Sequence, residues 1–199
     1  MDNKASFSDY FAKYISIITS PYIIVPAIGL WVIYIKTQNM ADFILFGLTF
    51  LFCTIAPILL YVYFKMRSGG ISDIHISIKE QRTKPFLISV AGSLALLGLY
   101  HLEHAPIVLM ALAFVLFVSG FVFMLATLFS KVSIHVAGYL GSIFILYRLV
   151  DERLILLSLI LPLVVWARSK REQHTLFQSL AAGFIVLICV FASLKLFGF

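Results

Sequence analysis

Between Ala105 and Ser130 the chain reads APIVLMALAFVLFVSGFVFMLATLFS, a run without a single charge. About 20 apolar residues suffice to cross the hydrocarbon core of a bilayer. Inside that core only helices and closed barrels satisfy every backbone group. The run is continuous rather than alternating, which selects helix over barrel strand. Working outward, further apolar runs cover Tyr14–Ile35, Ala41–Phe64, Pro85–Tyr100, His135–Val150, Arg153–Ala167 and Leu176–Phe197. With Ala105–Ser130 they make seven, of which the first, second, fourth and last reach spanning length. The three shorter ones can tilt little, start in the interface or hide behind neighbours. The expectation is an all-α, polytopic membrane bundle of six to seven transmembrane segments, forming one domain over 1–199.

Composition agrees. Hydrophobic residues make up 62% of the 199 and charged residues 12%, against about half and a quarter in soluble domains. The formal charge of +6 points, on such a chain, to anionic headgroups or a phosphate site, with no nucleic acid partner. Cys53 and Cys189 lie inside apolar runs, so no disulfide is expected. The first run is long and lacks a small-residue cleavage site, which predicts a retained helix rather than a signal peptide. Pro21, Pro26, Pro57 and Pro162 fall within apolar runs and predict kinks. The His101-Leu-Glu-His104 spacing could suit a metal, but its place in a short connector predicts a surface loop.

Counting crossings decides which polar residues meet. Lys65–Lys84, the longest polar stretch, is followed by two apolar runs that leave and return before Lys131. Two more leave and return before Arg168. Lys65–Lys84, Lys131–His135 and Arg168–His174 are therefore predicted on one membrane face. The opposite face keeps Lys36–Asp42, His101–His104 and Arg148–Arg153. The collected set is Lys79, Arg82, Lys84, Lys131, Ser133, His135, Arg168 and His174. Arginine forks and lysine charges suit phosphate. Phosphoryl transfer needs mainly positioning and charge stabilisation, with one histidine to attack and one to protonate the leaving oxygen. His135 and His174 both stand at helix starts, where free N–H groups and the helix dipole favour an anion.

These segments carry a resemblance. Arg168-Ser-Lys-Arg-Glu-Gln-His174-Thr-Leu-Phe-Gln178 resembles the third motif of the type 2 phosphatidic acid phosphatase superfamily, an arginine, five residues, a histidine, three residues and an aspartate. Val132-Ser133-Ile134-His135 resembles its second motif, Pro-Ser-Gly-His. Lys79-Glu-Gln-Arg82-Thr-Lys-Pro85 is a looser match to the first, nearest a divergent bacterial branch with Arg-x-x-Pro after an acidic residue. Order and spacing agree across about 73–183. The resemblance implies a lipid phosphatase with His174 as nucleophile and His135 as general acid. It implies phosphate binding by Arg168, Arg82, Lys79, Lys131 and Ser133, and no metal or organic cofactor. The partners would be membrane lipids and a lipid phosphate, in the cell membrane. Gln178 stands where the family has the acidic residue; at i+4 from His174 it could orient the ring but not balance its charge. Alternatives are a phosphotransferase on the same scaffold, a non-catalytic lipid-phosphate binder and a transporter. On sidedness, the Lys and Arg excess points to the cytoplasm, whereas the resemblance implies the outer side.

Overall fold

In the computed structural model every regular element is a helix, and no strand occurs among the described residues. Those residues are 6–71, 73, 76, 78–171 and 174–199, without the side chain of Lys79. The uncharged run becomes α6 (Ile107–Phe129). It forms the most extensive helix pair with α5 (Thr83–Leu102), which Pro85 opens from its first turn. Before them come α1 (Phe7–Ile18), α2 (Pro21–Lys36), α3 (Met40–Phe50) and α4 (Ala56–Arg67). After them come α7 (Ile134–Leu149), α8 (Leu161–Lys170) and α9 (Leu176–Leu196).

Four helical rods are long and apolar enough to cross a membrane: Met40–Arg67, α5, α6 and α9. A fifth arises if α1 and α2, bent by 41° at their junction, count as one. Large apolar side chains cover the outside, Phe129 at 87% exposure among them. Such a surface suits lipid rather than water. The predicted run at His135–Val150 is α7, short but buried along most of its length. It is the hub of the bundle rather than a lipid-facing span.

Pro21 stands at the 41° bend between α1 and α2, Pro57 lies inside the Met40–Arg67 rod just after its π turn, Pro26 is internal to α2, and Pro162 lies in the first turn of α8. The predicted Arg153–Ala167 helix divides for this reason. A 3₁₀ segment, Glu152–Ile160, precedes α8, because Pro162 can neither donate to the ladder nor tolerate the carbonyl four residues back.

Small residues set the spacing of the rods, as expected where lipid gives helices no hydrophobic drive to associate. Gly183 of α9 faces Leu140 and Val136 of α7, and Gly141 of α7 faces Val186 and Val190 of α9. The paired positions advance together, so α7 and α9 run parallel and start at the same end of the bundle. Pro21 at the start of α2 rests on Gly138 in α7. Between α3 and α4 lies a π turn, Leu51–Ile55, and the Cys53 carbonyl presses against Gly92 of α5. A β-carbon at position 92 would collide with main chain, which cannot swing aside. Gly92→Ala is expected to lower stability in detergent by about 1–3 kcal/mol, read as a drop in Tm. Gly98→Ala, which meets nothing within 4 Å, should leave Tm unchanged or slightly raised.

Candidate functional site

Arg82 precedes α5 directly, and its side chain is 2% exposed. Its Nε donates to the Ile76 carbonyl at 2.8 Å and its Nη1 to the Val132 carbonyl at 3.1 Å. One guanidinium thus fastens the end of the polar connector to the start of α7, fifty positions away.

His174, just ahead of α9, is 5% exposed. Its Nδ1 lies 3.2 Å from the carbonyl oxygen of Lys131. A carbonyl only accepts, so Nδ1 carries the proton and Nε2 keeps a lone pair. Nε2 is buried and has no hydrogen-bond partner among the described residues. Burial, then Arg168 and Arg82, push the imidazole down to about 4. At neutral pH it is an uncharged ring with its basic nitrogen unspent.

Arg168 projects from the last turn of α8 and is 2% exposed. Its Nε and Nη1 have no hydrogen-bond partner among the described residues. Burial, then Arg171 and Arg82, lower it to about 10 while Asp73 pulls the other way. It therefore remains a cation. The Lys131 ammonium is likewise depressed by burial, then by Arg82 and Arg168. Arg82 acts on both Arg168 and Lys131, and Asp73 is the acidic group that all three cations feel. The helix α8 that carries Arg168 is held from outside by α1, through Phe11 on Trp166 and an exposed Lys170–Asp9 ion pair at 3.4 Å.

Ser133 caps α7; its hydroxyl oxygen accepts from the Val136 N–H at a long 3.5 Å. The hydroxyl proton remains available to a ligand. His135 sits fully buried in the first turn of α7, beside Ile134, which lines a small pocket together with Arg82. The predicted set thus converges on one end of the bundle through Arg82, Lys131, Arg168 and His174, with Ser133 and His135 at the start of α7 directly after Lys131 and Val132. Lys84 is exposed at the rim. The Lys79 side chain and Glu172 lie outside the described residues; the Lys79 backbone begins a short 3₁₀ turn.

Gln178 requires a correction. Its amide oxygen accepts from the Thr175 N–H at 3.1 Å, while the Gln178 N–H donates to the Thr175 hydroxyl at 3.2 Å. This is a reciprocal capping box, and it takes Gln178 away from the task of orienting the histidine. The Lys131 main chain does that instead. The signature Thr175-Leu-Phe-Gln178 was readable in the sequence; the carbonyl was not, since any residue supplies one. Asp73 was also legible only as an acid in a polar stretch. Among the described residues no group of three or more His, Cys, Asp and Glu side chains is arranged to hold a metal.

No protein-family model, curated protein or solved structure matches the chain.

Two outcomes follow from this geometry. A histidine depressed in the fold favours the neutral form, so the unfolded chain binds the extra proton and stability falls as pH drops from about 6.5 towards 4. Tm in detergent should fall over that window, and His174→Asn should flatten the slope. Gln178→Glu should retain the cap and the Tm, whereas Gln178→Ala should lose about 1 kcal/mol of stability.

Proposed function

We propose that the chain is a membrane lipid phosphatase working through a phosphohistidine on His174. One observation carries the reading: a buried Arg168 with two unspent N–H donors belongs to the same charge cluster as a neutral imidazole whose Nε2 is also unspent. A buried cation with unpaired donors is costly, and a phosphate dianion would satisfy it. The resemblance of three segments, in order, to the phosphatidic acid phosphatase motifs supports the same chemistry.

In this reading the phosphate of a lipid rests on Arg82, Arg168, Lys131 and the Ser133 hydroxyl. Nε2 of His174 attacks phosphorus, and the bond from phosphorus to the lipid oxygen breaks. His135, its proton held by the nearby dianion, protonates the departing oxygen. Water then attacks the phosphohistidine and gives up a proton to the now neutral His135; the bond from phosphorus to Nε2 breaks, releasing inorganic phosphate and restoring both rings. The Lys131 carbonyl fixes the ring throughout and can take up part of the charge that develops on it. Lys79 joins the phosphate set by motif position. The substrates that fit this chemistry are a polyprenyl diphosphate, a phosphatidate or a phosphatidylglycerol phosphate in the cell membrane. The six or seven crossings belong to this reading too. α7 is about 24 Å long, and Glu152–Ile160 with α8 supplies about 33 Å for the return.

Purified protein should release phosphate from at least one of these lipids. His174→Ala and His135→Ala should each reduce kcat on the order of 10³-fold or more. Arg168→Lys should also lose activity, because an ammonium cannot grip two phosphate oxygens at once. Full turnover by His174→Ala would sink the reading.

A further inference from the structure

Beneath the cationic cluster the bundle is hollow. A cavity of about 200 Å³ lies among α2, the π turn, α5, α6, α7 and α9. A second, of about 130 Å³, lies between it and Arg82. The two share Pro21, Tyr22, Ile58, Phe86, Ser89 and Ile134 as walls, so they lie end to end, and the Arg82 guanidinium borders the outer one. The walls are almost wholly apolar. Of the hydroxyls there, Thr54 donates to the Phe50 carbonyl and Ser93 to the Ser89 carbonyl, both at 2.7 Å, while the Ser119 hydroxyl has no hydrogen-bond partner among the described residues.

Gly29, Gly120, Gly138 and Gly141 line the larger cavity, where Gly29, Gly138 and Gly141 let Phe50, Pro21 and Val186 approach their helices closely. Interiors pack without such voids unless something fills them, and each unfilled void costs lost dispersion contacts. A dry apolar cavity of about 150 Å³ accepts a benzene-sized molecule. Adjacent cavities of about 200 and 130 Å³ match the bulk of one slender chain laid through both.

We propose that this passage is a tail site for a single hydrocarbon chain, saturated or isoprenoid, whose phosphate terminus lies at the Arg82 end. The site makes the protein select single-chain phosphates over diacyl ones. The headgroup assignment rests on the phosphatase reading; the tail assignment rests on the passage. Ser119 of α6 lines the inner cavity and Ser89 the shared wall. A larger side chain at either would shorten the space open to the tail.

Binding of non-hydrolysable alkyl phosphonates from butyl to decyl, below their micellar concentrations, tests this on the purified full chain. Isothermal calorimetry reads affinity, and none of these ligands can turn over. Affinity should rise by about fourfold per methylene and then level off where the passage is full. Geranyl phosphonate beside decyl phosphonate separates an isoprenoid from a saturated tail. Ser119→Leu should bring the plateau to shorter chains while butyl phosphonate binds as in wild type. Ser89→Leu, nearer the headgroup, should do so at a shorter length still, and serves alone if the first variant does not fold. Affinity independent of chain length, plateaus unmoved in the folded variants, or a diacyl phosphonate binding as tightly as decyl phosphonate would each overturn the proposal. Absence of phosphate release from the corresponding alkyl and isoprenyl phosphates and from the lipids named above, alongside intact chain-length steps with the phosphonates, would overturn the phosphatase reading and leave the tail site standing.

Discussion

Burial of the Arg168 guanidinium beside Arg82 and Lys131 is the constraint that organises this end of the bundle. Removing a cation from water is expensive, and like charges nearby make it more so. Nothing about packing alone calls for that arrangement. Asp73 offsets part of the positive field, and the remainder is a standing attraction for an anion. The same field, with burial, keeps His174 neutral. A single electrostatic arrangement thus supplies both the binding charge and an unprotonated nucleophile.

That arrangement depends on how the helices are spaced. α7 and α9 start at the same end because Gly141 and Gly183 let them run parallel in close contact. The free N–H groups of both first turns therefore face the cluster's end of the bundle. Main-chain carbonyls then do work that a carboxylate would do elsewhere. Lys131 holds the histidine and Val132 holds Arg82, so residues 131–133 between α6 and α7 link three remote segments.

The helical character and the extent of the rods Met40–Arg67, α5, α6 and α9 were legible from apolar run length alone. These depend on solvent, which sequence records directly. The division of Arg153–Ala167 was foreshadowed by Pro162, whose effect depends on its being read as a helix start rather than a kink. The partner of His174 was not legible, because the Lys131 carbonyl carries no side-chain signature. Gln178 illustrates the converse. Its spacing from His174 suggested one partner, and its spacing from Thr175 gave the other, with local capping winning because the N–H groups of the first turn need acceptors.

A structure of the purified protein with orthovanadate, which adopts the geometry of phosphorus under attack, tests the central claim most directly. The account predicts vanadium bonded to His174 Nε2, its oxygens on Arg82 and Arg168, and the Lys131 carbonyl still on Nδ1. Vanadate bound elsewhere, or a His174 ring turned out to lipid with Arg168 paired to a protein carboxylate, would contradict it.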